Sequence, residues 1–217
     1  MPGIETLAGF FGAALLLALS PGPDNLFVLV VSAQKGWQAG LAVVVGLCLG
    51  LVAQTAAVAL GLAALFLASA AAFMGLKVAG AVYLAYLAWG AFRAAARAGD
   101  VALSAGHSDA APGNGFHPAR MVGRGIVMNI TNPKVLVFFL AFLPQFVDPS
   151  RGEVALQIVL FGSVFIVATL LVFGGIACFS GKVGDTIRRS AGVQRWLNRI
   201  AGAVFLGLAL NLLFMRR

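Results

Sequence analysis

The sequence predicts an all-α polytopic membrane protein with six transmembrane helices. They form a 3+3 inverted-topology repeat in which helices 1 and 4 are broken at proline-containing motifs. Three observations predict this. Apolar residues make up 61% of the 217 residues and charged residues only 10%, where a soluble domain carries about 25% charged residues, and the mean hydropathy is +0.98. Apolar segments of spanning length recur along the chain, with most cations at their ends. Two of those segments are interrupted at matching places by a proline followed by a charge, Pro23-Asp24 and Pro133-Lys134. Proline breaks the backbone ladder, and a charge inside an apolar span costs roughly 2.5–3.5 kcal/mol on insertion scales.

Leu7–Val31 is the first expected span, long enough to cross despite its break. Glu5, rather than a basic stretch, precedes it, so no cleavable signal peptide is expected. Lys35-Gly36 forms a short turn. No charge then appears from Gly36 to Leu76, too long a run for one span, so the chain must fold back. A return near Ser69 gives spans of roughly Gln38–Leu67 and Ala72–Phe92. Arg93–Gly123 is polar and rich in Gly, Ala, His and Pro, and reads as an extramembrane linker. Spans Arg124–Val147, Val154–Phe179 and Gln194–Phe214 follow, with Gly181–Val193 as the loop between the last two.

The cations set the orientation. With the N-terminus outside, the cytoplasmic side holds Lys35, Arg93, Arg97, Arg120, Arg124, Lys182, Arg188, Arg189, Arg195 and Arg199. The opposite side holds Lys77, Arg151, Arg216 and Arg217. Both termini are therefore expected outside. The net charge of +8 reads as topology determinants and contacts to anionic lipid. Nucleic acid is excluded, because no aromatic residues interleave with the basic ones.

The halves repeat. Lys77-Val-Ala-Gly-Ala-Val-Tyr-Leu84 matches Arg199-Ile-Ala-Gly-Ala-Val-Phe-Leu206 at an offset of 122, and Pro23 matches Pro133 at an offset of 110. Three spans per half is an odd number, so the second half inserts upside down. The expected division is a first three-helix repeat over 1–95, a cytoplasmic linker over 96–122 and a second three-helix repeat over 123–217, all one integral-membrane domain.

Paired, interrupted segments point to a transporter's substrate site near the midplane. Proline suits the first turn of a helix, so Pro23 and Pro133 each open a half-helix, with Gly22 and Asn132 at the N-cap positions. Free N–H groups and the positive dipole end then face the interruption and suit a carboxylate. Ser20, Asn25, Asn129, Thr131 and Asn132 add hydrogen-bonding groups at the same depth. Asp24 and Lys134 would face each other across a pseudo-two-fold axis and offer both signs to a zwitterion. The plainer alternative is an ion pair that pins the two broken helices together. Asp24 is the only carboxylate well inside a span and the leading candidate for proton coupling. Lys77 and Arg199 read as snorkelling anchors. Gly46-x-x-x-Gly50 allows close helix approach. Gln54, Gln157 and Thr169 read as interhelical hydrogen-bonding groups that could instead line a path, and Tyr83, Tyr86 and Trp89 as packing or interface residues.

No metal site or cofactor is expected. Cys48 and Cys178 have no metal spacing, and His107 and His117 have no partner pattern. An intramembrane protease would need Ser with His, or paired Asp residues, at span depth. A thiol-disulfide electron carrier of the CcdA type would need cysteines at equivalent positions, which these two are not.

With these residues in hand, the chain resembles the lysine exporter/RhtB family of bacterial amino-acid exporters. Ser20-Pro-Gly-Pro-Asp-Asn-Leu26 looks like its first-span motif. Gly123-x-Gly-x-x-x-Asn-x-Thr-Asn-Pro-Lys134 followed by Phe138-Phe-Leu-Ala-Phe-Leu-Pro-Gln-Phe146 looks like its fourth-span motif, and Ala79–Gly90 is similar to its third span. The resemblance covers nearly the whole chain. It implies an inner-membrane carrier, not an enzyme, that exports amino acids or close derivatives by proton exchange. Family substrates range over lysine, arginine, threonine, homoserine, leucine and cysteine-related compounds. The exact amino acid, export of another small metabolite or ion, and homo-oligomerisation stay open.

Overall fold

A computed structural model of the chain describes residues 2–20, 22–68, 70–97, 117–189 and 191–214. Among them there are helices and short connections and no strand. In chain order the elements are α1 (Ile4–Leu19), α2 (Pro23–Lys35), α3 (Trp37–Ala68), α4 (Ala70–Arg97), α5 (Pro118–Thr131) and α6 (Pro133–Val137). A π-helical segment (Phe138–Phe142) and two 3₁₀ turns (Leu143–Phe146, Pro149–Arg151) lead to α7 (Val154–Arg189) and α8 (Ala191–Phe214).

Helices lie over the stretches expected to span, some of them longer than expected. Gln38–Leu67 becomes α3, Ala72–Phe92 becomes α4, and the return at Ser69 lies outside the described residues. Gly36, with φ 89°, makes the turn between α2 and α3. Among the described residues, three helical stretches are long and apolar enough to cross a membrane: Trp37–Gly61, Val78–Ala96 and Val154–Ser180. Two bent pairs bring the number to five if each pair is one span: α1 with α2, bent by 61°, and Pro118–Thr131 with Pro133–Phe146, bent by 51°. The sixth expected span falls on α8, where the shorter stretch Asn198–Leu210 is apolar.

Two expected loops are shorter than the polar composition implied. Gly181–Val193 is helical through Arg189 and again from Ala191, so α7 continues past its apolar part. The linker expected over 96–122 loses both ends, because α4 runs to Arg97 and α5 begins at Pro118. Outside a membrane, a polar helical extension keeps its backbone bonds and solvates its side chains, so polarity alone does not end a helix.

The packing places the breaks between two apolar clusters. One gathers Phe10, Ala14, Leu17, Leu51, Leu84, the Phe138–Leu143 segment, Ile158, Phe161, Phe165, Ala168 and Phe205. The other gathers Ala18, Val28, Val31, Val43, Leu47, Met121, Phe173 and Ala177. α1, α3 and α7 contribute to both, and the change from one cluster to the other falls at Leu17/Ala18, Leu47/Leu51 and Ala168/Phe173. α3 packs chiefly against α5 and α7, and α4 against α8. The α3–α5 approach is set by glycine. A Cβ on Gly46 would run into the Val122 carbonyl oxygen, and one on Gly125 into the Val43 carbonyl oxygen. Backbones this close gain dispersion contacts that lipid chains would not supply.

Candidate functional site

Both breaks are built alike. Pro23 opens α2 behind Gly22, and Pro133 opens α6 behind Asn132. At the second break the cap is complete: Asn132 Oδ1 accepts a hydrogen bond from the Lys134 N–H at 3.0 Å. Each proline sits where its missing N–H leaves no hydrogen bond unmade. The fixed φ starts a new helix on a new axis, which is how a short motif becomes a bend.

The polar groups of the two breaks converge in the seam between the apolar clusters. Ser20, Asp24, Asn129, Asn132 and Lys134 are all buried, with Asp24 at 2% exposure and Lys134 at 6%. Asn132 Nδ2 donates to Asp24 Oδ2. Its amide therefore ties the Asp24 carboxylate to the start of the helix that carries Lys134. Lys134 Nζ donates to the carbonyl oxygens of Leu17, at 3.2 Å, and Ser20, at 3.1 Å. Those carbonyls belong to the C-terminal end of α1, where the dipole is negative and acceptors lack intrahelical donors. Asn25 Nδ2 closes the same end by donating to Ala18 O at 2.8 Å.

The expected head-on contact of Asp24 with Lys134 is replaced by this relay. Among the described residues the direct ion pair is Arg151–Asp148, at 3.1 Å. Asp24 accepts a hydrogen bond from Asn132, and the Lys134 ammonium goes to the Leu17 and Ser20 carbonyls. Thr131 also departs from expectation. It is exposed, and its hydroxyl donates back to Val127 O at 2.8 Å, so it lies on the outer face of α5 rather than at the break. Pro23 and Pro133 are exposed as well and act through the backbone, while Gly22 lies beside the Lys134 ammonium.

A small cavity of about 10 Å³ sits at the seam, lined by Leu17, Ala18, Asp24, Leu47, Asn129, Lys134, Val135, Phe165, Thr169 and Phe173. It has the size of a single water, too small for an amino acid in this conformation. Three acceptors at its wall, Asp24 Oδ1, Asn129 Oδ1 and Thr169 Oγ1, are buried without a hydrogen-bond partner. Buried polar groups are normally satisfied, and a group of exceptions in one place calls for an occupant. Thr169 and the apolar liners were not among the residues picked from the motifs. Thr169 was visible as a lone polar residue at span depth, but its depth opposite the breaks depends on how α7 packs.

Gln54 and Gln157 serve structure. Gln54 Nε2 donates to Asn129 O at 3.0 Å, across α3 and α5. Gln157 Nε2 donates to Asp148 O and Gly152 O, and its Oε1 accepts from the Asp148 N–H. The side chain of Lys77 lies outside the described residues. Cys48 is half-buried and Cys178 exposed, both as free thiols. No group of His, Cys, Asp or Glu among the described residues could hold a metal ion.

A second, larger cavity of about 460 Å³ opens at the start of α1, lined by Pro2, Glu5, Thr6, Gly9, Gln145, Phe146, Val147, Asp148 and Arg151. The Ser150 hydroxyl and N–H hold the Asp148 carboxyl below the usual carboxylate range, so this wall keeps its negative charge at neutral pH.

The comparisons with known proteins agree with one another. The family model described as LysE type translocator matches residues 15–216. A homoserine/homoserine lactone efflux protein of Salmonella typhimurium is 33% identical over 191 residues, covering 88% of this chain and 87% of the relative. A threonine efflux protein of Salmonella typhi is 26% identical over 214 residues, covering 95% and 98%. An uncharacterized membrane protein of Vibrio cholerae is 29% identical over 209 residues, covering 96% and 97%. No solved structure matches the chain.

Proposed function

The chain belongs to the LysE type translocator family, and from that premise we propose that it is an inner-membrane secondary transporter. It exports a small zwitterionic amino acid or close derivative in exchange for protons, and the substrate sits between the two broken helices. The observation that carries this reading is the seam cavity, where two half-helices end and two begin: it is lined by the acid Asp24 and the base Lys134, and an Asp24 oxygen, Asn129 Oδ1 and Thr169 Oγ1 all lack partners there. Asp24 matches the ammonium of a zwitterion, and the first-turn N–H groups of α2 suit its carboxylate. Thr169 and Asn129 present oxygens suited to a substrate hydroxyl, in keeping with relatives named for homoserine and threonine efflux.

The same geometry supports a transport cycle. Empty, the cavity closes and Lys134 rests on the α1 carbonyls. Entry of substrate requires the half-helices to separate, and the bends at residues 20–23 and 132–133 are where such a motion costs least. Asp24 cannot hold a proton and a substrate ammonium equally well, so binding one releases the other. Competition at a single carboxylate is enough to couple export to proton entry. Two breaks of the same construction, one in each half, favour the inverted 3+3 repeat, with α4 and α8 as its third members.

Proton-gradient-driven uptake into inverted vesicles, in which the cytoplasmic face points outward, tests this. The wild-type protein is expected to accelerate amino-acid movement when a pH gradient is imposed. Asp24→Asn should insert and purify normally yet lose the response. A mutant that kept the wild-type pH dependence would overturn the coupling role.

A further inference from the structure

Between the seam cavity and the larger cavity lies a continuous column of aromatic rings. Phe165 lines the seam cavity and packs on Phe138 at 5.2 Å and Phe139 at 5.3 Å between ring centroids. Phe138 meets Phe10 at 5.6 Å. Phe10 meets Phe161 at 4.8 Å and Phe146 at 5.2 Å, and Phe146 lines the larger cavity. Along α1 the column separates Leu17, at one cavity, from Gly9, at the other, by about 12 Å. Phe10, Ala14 and Leu17 share one buried face of α1, and Phe161, Phe165 and Ala168 one buried face of α7. Phe10, Phe138, Phe139 and Phe161 are at 0% exposure. No polar side chain is needed to hold such a plug, and none of the rings is fixed by a hydrogen bond.

The third wall of the column is irregular. Phe138–Phe142 is π-helical, and Leu143–Phe146 tightens to 3₁₀ around Pro144. A π segment of this length is a single-turn bulge within a helix, and such bulges are frequent at functional sites. Returning it to α geometry would rotate Phe142 and Phe146 out of the column without breaking the helix. The larger cavity beyond carries both signs of charge, with Glu5 and Asp148 against Arg151, which suits a solute with an ammonium and a carboxylate.

We propose that the larger cavity is the exit mouth of the export path for a zwitterionic amino acid, and that the Phe10–Phe138–Phe146–Phe165 column is the gate closing it from the seam. This rests on the transport reading above, but its test needs no substrate. In a background lacking Cys48 and Cys178, Thr6→Cys marks the face on which the mouth opens, and Ala18→Cys reports from the seam. An impermeant thiol reagent is applied to intact cells and to inverted vesicles. With the column intact, Thr6→Cys should label quickly from one face and Ala18→Cys slowly from that face. Phe10→Ala should raise Ala18→Cys labelling at least tenfold from the mouth side only, and Phe138→Leu, which keeps the plug filled, should not. If Phe10→Ala fails to fold, Phe146→Ala at the half-buried end of the column gives the same reading. Unchanged labelling in the alanine variants, or an equal rise from both faces, would overturn the gate. The labelling pattern predicted for the gate, in a wild-type protein that exchanges no amino acid, would instead count against the seam as the substrate site.

Discussion

Two of the three protons on Lys134 Nζ are held by carbonyls of another helix. The residue therefore joins the halves mechanically, as a C-terminal cap of α1 supplied from α6, besides adding charge to the seam. Asn132 is the matching joint on the other side, since one amide caps α6 and holds the Asp24 carboxylate. Asn132→Ala removes a cap worth about 1 kcal/mol and leaves a buried carboxylate oxygen without its donor, about 1–3 kcal/mol more. Detergent melting should show a clear destabilisation, larger than that of Thr131→Ala, whose hydroxyl only bonds back within α5. Equal melting temperatures for the two variants would contradict the relay. At this scale the sequence was informative about residue types and less so about contacts. Asp24, Lys134, Asn129 and Asn132 stood out because polar residues in an apolar run are costly, and they do converge. That Lys134 reaches back to Leu17 and Ser20, or that Thr131 points away, depends on the helical phase at the break, which a bend of 51° resets.

The elements divide into regular and broken ones, and regularity follows packing. α3 and α5 lie backbone to backbone through Gly46 and Gly125, where a Cβ on either would meet a main-chain carbonyl of the other helix. Gly46→Val forces that crossing apart, and overpacking of this kind costs about 1–3 kcal/mol. It should lower the melting temperature, and it should displace Asn129, which lies one turn further along the same contact beside Gly50. Gly61→Val, with open space around it, is the control and should melt like wild type. A Gly46→Val protein as stable as the control would show that the close approach is not required. The Gly46-x-x-x-Gly50 spacing revealed this contact in the sequence. The aromatic column was not legible in the same way. Its phenylalanines recur at helical spacing within α7 and 138–146, with Phe10 on α1, but such spacing reads only as a buried face, and nothing in it says that three faces meet.

Across the whole molecule the account needs a particular orientation, because an exporter must open its mouth away from the cytoplasm. The balance of cations predicts that the start of α1 and the 148–153 connection lie outside and the end of α7 inside. Glu153→Cys, in a background lacking Cys48 and Cys178, should label with impermeant thiol reagent on intact cells, and Gly184→Cys only after permeabilisation. The neighbouring Gly152 does not suit this test, because its φ of 130° disfavours any side chain. Labelling of Gly184→Cys on intact cells would invert the topology. The order of helices and the place of the breaks were legible from hydropathy and two prolines, while the helical reach of α7 to Arg189 was hidden by its polar composition.

The central claim is that the seam between the breaks binds the exported amino acid. Counterflow of labelled homoserine, threonine and a wider amino-acid panel into proteoliposomes tests it most directly, comparing wild type with the double variant Asp24→Asn, Lys134→Met. Exchange needs no net proton movement, so loss of proton coupling alone leaves it intact. The account predicts exchange of at least one solute by the wild type and none by the folded double variant. Exchange at the wild-type rate in the double variant would show that these residues only hold the helices together, and that the substrate is bound elsewhere.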